Sequence, residues 1–164
     1  MMMLKLICLK NGKVLGAQIT GYEGVDKRID VIATAIRAGM TVYDLTELEL
    51  AYAPPFSSAK DPVNMAGYVA ENILTDKVEI FHWHDVHRID RKNSVILDVR
   101  TKYEFENGHI PGSVNIPVDE LRSKIDTLDK SMKYYVLCQI GLRGYIAARL
   151  LSQYGLVAAN LSGG

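Results

Sequence analysis

The stretch Leu137-Cys138-Gln139-Ile140-Gly141-Leu142-Arg143-Gly144 decides how the rest of the chain is read. The apolar run Tyr134-Tyr135-Val136-Leu137 before it reads as a short buried strand, and Tyr145-Ile146-Ala147-Ala148-Arg149-Leu150-Leu151 after it reads as a helix. A strand therefore delivers a cysteine into a tight, glycine-containing loop that opens a helix. The first N–H groups of a helix have no intrahelical partner, and together with the helix dipole they favour an anion. A thiol placed there is expected to have a lowered pKa and to be largely thiolate near neutral pH. Gly141 and Gly144 would let the backbone curl with its N–H groups inward, and Arg143 would add a fixed charge and a planar fork of donors. A cysteine at a strand end is often no more than a small buried hydrophobe. Two glycines and an arginine beside it point instead to a nucleophilic sulfur that carries or attacks an anionic group.

The pattern C-x-x-G-x-R-G resembles the active loop of the rhodanese sulfurtransferases, and three further segments agree with it. Val95-Ile96-Leu97-Asp98-Val99-Arg100 is similar to that family's "LDVR" strand. Tyr103-Glu104-Phe105, followed by Gly108-His109-Ile110-Pro111-Gly112-Ser113-Val114-Asn115-Ile116-Pro117, is similar to its "EF..GHIPGA.NIP" segment. Asn160-Leu161-Ser162-Gly163-Gly164 is similar to its late "LSGG". Four motifs in the right order are specific. The resemblance implies an α/β domain in which Cys138 takes a sulfane sulfur and holds it as a persulfide. It implies that Arg143 is catalytic and that Gln139, Ile140, Gly141, Leu142 and Gly144 contact the substrate. Asp98 and Arg100 would form a structural ion pair, and His109 would be a satisfied structural histidine. The related dual-specificity phosphatases use C-x5-R. Here four residues separate Cys138 from Arg143, a smaller ring that suits a persulfide better than a tetrahedral phosphate.

The chain has 164 residues, room for one ordinary domain or two small ones. Hydrophobic residues make up 48%, a value for a packed rather than a disordered chain. The 19 basic and 19 acidic residues cancel, and no basic stretch argues for a nucleic acid partner. No apolar run approaches a membrane span, and the opening Met1-Met2-Met3-Leu4-Lys5 is too short and charged too early for a signal peptide. With two cysteines in such different contexts, Cys8 and Cys138, a disulfide framework is not indicated, and a reducing, cytoplasmic location fits a working thiolate.

From the start, Lys5 to Leu9 and Val14 to Ile19 are strand-like runs joined through Asn11-Gly12, a hairpin signal, with Cys8 read as a small buried hydrophobe. Asp26 is expected to cap a helix whose apolar face is Ile29, Ile32, Ala33 and Ile36, with Gly39 as its C-terminal cap. A second helix is expected to start at Thr46, and Ala51 to Ala59 is extended because of Pro54-Pro55. Asp61-Pro62 is a helix start for Met65, Val69 and Ile73.

Residues from about 12 to 74 resemble, nearly unbroken, the C-terminal dimerisation domain of the pyridine nucleotide-disulfide reductases. Members that it resembles include the coenzyme A disulfide reductases, NADH oxidases and persulfide reductases, some of which carry a rhodanese domain in this order. The resemblance implies a homodimer formed through residues 1–74. It places the Tyr52–Lys60 segment near the partner subunit's flavin. Several members have a tyrosine after the two prolines where this chain has Phe56, so no phenolic donor stands there; the resemblance leaves open a role for Tyr52 at the partner's active site, and dimer or core packing is the reading favoured for Tyr52 and Phe56. No G-x-G-x-x-G occurs, and Cys8 is not in the context of a flavin-adjacent redox cysteine. FAD and NADH are therefore expected only in full-length relatives, with no cofactor bound by this chain, which looks like the last third of a larger reductase.

Thr75 to Phe81 marks the boundary, where a polar linker leads to a strand. His82, His84 and His87 invite a metal reading, but strand alternation would separate His82 from His84 and no acidic or cysteine cluster completes a set, so Asp85 is read as the N-cap of a short helix and no metal is expected. Pro117 can begin a helix, and Lys124 to Lys133 reads as a charged surface connection. Rhodanese domains usually continue past "LSGG" with a final helix, so a sheet edge is expected to lose cover at Gly164. The fold expected is thus an α+β dimerisation domain, residues 1–74, with a hairpin and three helices. An α/β rhodanese-like domain follows over residues 75–164, with a central parallel sheet and helices on both faces. The function expected is transfer of sulfur from a small sulfane-sulfur donor to a thiol acceptor. A non-catalytic module for dimerisation and partner binding is the alternative.

Overall fold

Two mostly apolar runs, the first with burial alternating residue by residue, build the opening hairpin. In the computed structural model, which describes residues 2–55 and 57–164, β1 (Met2–Cys8) pairs antiparallel with β2 (Val14–Gly21). A bulge at Ile7/Cys8 precedes the Asn11-Gly12 turn. One face of the hairpin offers Leu4, Leu6, Cys8, Ala17 and Ile19 to a core that also holds Ile32 and Ala35 of α1 (Val25–Arg37), Val42 and Leu45 of α2 (Val42–Glu47), and Val63 of α3 (Pro62–Leu74). Contacts divide the chain into two units, Met1–Asp76 and Lys77–Gly164, and these elements make the first.

The helix boundaries follow from their caps, and two differ from the sequence expectation. α1 starts after Gly24, which adopts a left-handed backbone, so Asp26 sits inside the first turn instead of capping it. There its charge still favours the positive end of the helix. At the other end Gly39 N–H donates to Ile36 O and Met40 N–H to Ala35 O, the paired bonds of a Schellman motif. α2 starts at Thr41, not Thr46: Thr41 Oγ1 accepts from Asp44 N–H at 3.3 Å while Asp44 Oδ2 accepts from Thr41 N–H at 2.6 Å. Thr46 lies in the last turn, donating to Tyr43 O. α3 starts where Asp61-Pro62 placed it, with Asp61 Oδ1 accepting from Val63 N–H at 3.1 Å. Asp61 also pairs with Arg28 at 2.9 Å, and Asn64 Nδ2 closes the end of α2 by donating to Leu45 O and Leu48 O. Tyr52 is 50% exposed, so it fills no core here. Phe56 lies outside the described residues.

The second unit contains β3 (Glu79–Phe81), β4 (Ser94–Asp98), α4 (Lys102–Glu106), β5 (Val114–Asn115), α5 (Val118–Lys124), β6 (Lys133–Leu137), α6 (Leu142–Gln153) and β7 (Val157–Leu161). The five strands form one parallel sheet in the order β3-β7-β6-β4-β5. Leu97, Tyr134, Val136 and Ala158 pack on one face with Leu121 of α5 and Ala147, Ala148 and Leu151 of α6. The opposite face carries Phe81, Ile96, Leu137, Ala159 and Leu161. Its partners include Val86 of a 3-10 turn, Trp83–Arg88, together with Ile89 and Ile110, so short irregular segments stand there where helices were expected. β7 is interior, between β3 and β6, and the sheet edges are β3 and β5.

Local details depart from expectation too. Asp85 is inside the 3-10 turn and its Oδ2 accepts from His82 N–H at 3.0 Å, so His82 takes the cap position. The turn brings the His82 and His84 rings into a stack 5.3 Å apart, where strand alternation would have separated them. Pro117 precedes the first residue of α5 and serves as its N-cap. The segment after α5 is not wholly a surface connection: Ile125, in a second 3-10 turn, is buried in the core, and Lys133 opens β6.

Candidate active site

The site forms where β6 runs out beneath the start of α6. Leu137 is the last residue of β6 and pairs in register with Asp98 at the end of β4. Cys138 follows at the carboxyl edge of the parallel sheet, where open α/β folds place ligands. Its side chain is buried, with the residue 5% exposed. Three residues on, Gly141 is the N-cap of α6 with φ 93° and ψ −22°, a left-handed backbone that suits glycine. That conformation turns Gly141 N–H back onto Cys138 Sγ, to which it donates at 3.1 Å. The loop therefore closes on its own sulfur, at the positive end of a 12-residue helix. Gln139, Ile140 and Leu142 point outward; Ile140 is 59% and Leu142 56% exposed, an apolar rim around a polar floor.

Arg143 does not extend freely toward the sulfur. Its Nη1 and Nη2 each donate at 2.7 Å to the two carboxylate oxygens of Glu104, a bidentate pair. Glu104 is at the third position of α4, where its Oε2 also accepts from Thr101 N–H at 2.9 Å and from the Thr101 hydroxyl at 2.8 Å. Hydrogen bonding to Arg143 first, then to the Thr101 backbone and hydroxyl, holds the Glu104 carboxyl well below the usual carboxylate range. Arg143 is raised above its ordinary value, mainly by Glu104 and to a lesser degree by the charge and hydrogen bonding of Cys138. The guanidinium is thus fixed by a carboxylate while staying within electrostatic reach of the sulfur. Nothing in the sequence linked Glu104 to this loop beyond its place in a resembling motif.

Gly144 departs from the sequence expectation. Its backbone is not left-handed, and it lies buried in the first turn of α6. A Cβ there would stand 2.3 Å from Asn160 Oδ1, so the glycine is required by space rather than by backbone curl. Asn160, on β7, is 8% exposed and its Nδ2 donates to Gly141 O at 3.2 Å. Gly164 comes as close on another side: a Cβ there would lie 2.3 Å from Ile140 N. The late "LSGG" stretch therefore forms the back wall of the cysteine loop, a role that its sequence position alone did not disclose.

The remaining candidates lie elsewhere or are already engaged. Asp98 is fully buried and holds Arg100, with Nη2 to Oδ2 at 2.6 Å. Hydrogen bonding to Asp98 raises the Arg100 guanidinium further. Arg100 Nη2 also donates to Gly108 O at 2.8 Å, tying the loop after α4 to β4. His109 stacks on Phe105 with ring centres 3.8 Å apart, and its Nδ1 lies 2.9 Å from Phe105 O. Among the described residues no group of three His, Cys, Asp or Glu is placed to hold a metal ion, and no helix is long and apolar enough to cross a membrane.

Residues 86–164 match the rhodanese-like domain, and residues 1–63 match the pyridine nucleotide-disulphide oxidoreductase dimerisation domain. A coenzyme A disulfide reductase of Staphylococcus aureus is 54% identical over 61 residues, covering 37% of this chain and 14% of that protein. The solved structure of reduced Bacillus anthracis CoADR-RHD superposes with a TM-score of 0.95 at 51% identity, over 99% of this chain and 29% of that one. A NAD-dependent persulfide reductase from A. fulgidus does so with a TM-score of 0.85 at 41% identity, again over 99% and 29%. The chain spans less than a third of the length of each of these relatives. It unites a pyridine nucleotide-disulphide oxidoreductase dimerisation domain with a rhodanese-like domain, and so resembles the corresponding part of the coenzyme A disulfide and persulfide reductases.

Proposed function

We propose that the second unit transfers sulfur through a persulfide on Cys138, as part of a flavin-dependent persulfide or coenzyme A disulfide reductase. The observation that carries this reading is the Gly141 N–H held 3.1 Å from Cys138 Sγ at the start of α6. In the first half-reaction Cys138 Sγ, as thiolate, attacks the outer sulfur of a sulfane donor. The new S–S bond forms as the donor's own S–S bond breaks, and the electron pair leaves with the departing group: sulfite from thiosulfate, a thiolate from an organic persulfide. In the second half-reaction a nucleophile such as cyanide or a thiol attacks the outer sulfur of the persulfide, and the Cys138 thiolate returns. Each step places negative charge on sulfur inside the loop. The Gly141 amide and the dipole of α6 oppose that charge, and Arg143, balanced by Glu104, adds a fixed donor at its margin.

This chain supplies no flavin or nicotinamide step of its own. It contains no G-x-G-x-x-G, and its second thiol, Cys8, is packed against the core of the first unit. FAD and NADH belong to the reductase body of full-length relatives in this reading, and the natural acceptor is a thiol of that body or a small thiol. Both cysteines are free, which suits a reducing compartment such as the cytoplasm. The first unit would form a homodimer, and it exposes Met3, Ile7, Leu15, Met65 and Val69 as apolar surface that association would bury.

Cyanolysis after loading with thiosulfate tests the enzymatic reading. The chain should form thiocyanate, and Cys138→Ser should not. Equal rates in the two proteins would leave the second reading, a dimerisation and partner-binding module, which the dimerisation-domain match favours.

A further inference from the structure

We infer that Asn160 is a positioning residue for Cys138, holding the cysteine loop in its sulfur-binding form from the neighbouring strand; this rests on the sulfur-transfer reading above. Asn160 stands on β7 and is nine-tenths buried. Its Nδ2 donates to Gly141 O at 3.2 Å. The same carbonyl accepts the first intrahelical bond of α6, from Tyr145 N–H at 2.8 Å. Gly141 is therefore pinned from two directions, by its own helix and by the adjacent strand. It is also the residue whose N–H reaches Cys138 Sγ. A left-handed glycine is free to leave its conformation. The second bond restrains the residue that aims the donor.

The other half of the side chain shows that this arrangement is specific. Asn160 Oδ1 is buried and has no hydrogen-bond partner. Buried acceptors are rarely left so, because their desolvation goes uncompensated. Exchanging the amide's O and N would not remove the cost, since it would set an oxygen against the Gly141 carbonyl, acceptor against acceptor. The side chain is held in a partly unsatisfied state by the bond it makes to the loop. Gly144 completes the device: a Cβ at 144 would stand 2.3 Å from Asn160 Oδ1. Gly144 thus leaves the room in which Asn160 reaches Gly141, and the two positions act as one coupled pair.

The test uses the whole chain with Asn160→Ala, Gly144→Ala and the double variant. Amide hydrogen exchange at Gly141 should quicken in Asn160→Ala. The kcat for thiocyanate formation should fall about 10- to 100-fold, the scale for a displaced transition-state donor, while KM for the donor stays unchanged. Gly144→Ala should lower both melting temperature and kcat. Adding Asn160→Ala to it should restore the melting temperature toward that of Asn160→Ala alone and leave kcat low. A purely structural asparagine would not give that split between stability and turnover. Unchanged Gly141 exchange in Asn160→Ala, or full turnover in the double variant, would overturn the inference. If the parent chain makes no thiocyanate, the sulfur-transfer reading fails, and the exchange measurement alone decides whether Asn160 holds the loop.

Discussion

At the level of single residues, Glu104 sets the charge balance of the site. Its folded pKa lies below its ordinary 4.5, so the ionised form is favoured by folding. The stabilisation this brings is complete above about pH 4.5, the unfolded value, and is lost as pH falls through the depressed folded one. Glu104→Gln should therefore lower the melting temperature most near neutral pH, with the gap to the parent closing in acid. A gap that stays constant down to acid unfolding would show that the carboxylate charge is not what Arg143 responds to. Cys138 and Gly141 were legible in the sequence because strand, cysteine, glycine and helix follow one another within a few residues. Glu104 and Asn160 were not legible as site residues. The contacts that give them their roles cross 39 and 19 positions and depend on the order of strands in the sheet.

At the level of elements, the start of α3 joins local and distant requirements. Asp61 caps that helix and, at 4% exposed, neutralises Arg28, whose side chain is 11% exposed. Asp61→Ala would remove the cap and leave a nearly buried guanidinium without its carboxylate. A loss of roughly 3–5 kcal/mol in urea unfolding of the first unit is expected; a loss under about 1 kcal/mol, the scale of a cap alone, would mean that the ion pair adds nothing. Asp61-Pro62 was legible because cap and proline are adjacent. The start of α2 was not, for a physical reason: Thr41 and Thr46 each have an acidic residue three positions on, Asp44 and Glu49, so both satisfy the same capping pattern. What selects Thr41 is tertiary, the bridge between Lys13 and Thr41 and the bond from Val42 N–H to Gly12 O at 2.8 Å. The 3-10 turn of Trp83–Arg88 was half legible: a short helix was expected there with Asp85 as its cap, but His82 takes that position and Asp85 lies inside the turn, bonding back to His82 N–H.

At the level of the whole molecule, two recognisable domains share one chain, and each carries its own claim. For the first, sedimentation at micromolar concentration should give twice the chain mass, and a strict monomer would contradict association through residues 1–74. For the second, everything converges on whether Cys138 holds sulfur. The parallel sheet brings the cysteine to its carboxyl edge, Gly141 closes an N–H onto it, and β7 and the "LSGG" stretch support the loop from behind. Intact-protein and peptide mass spectrometry after incubation with thiosulfate or a small persulfide reads this out directly. A gain of one sulfur atom is expected on Cys138, discharged by cyanide and absent in Cys138→Ser; a chain that stays unmodified, or takes its sulfur on Cys8, would rule out a Cys138 persulfide.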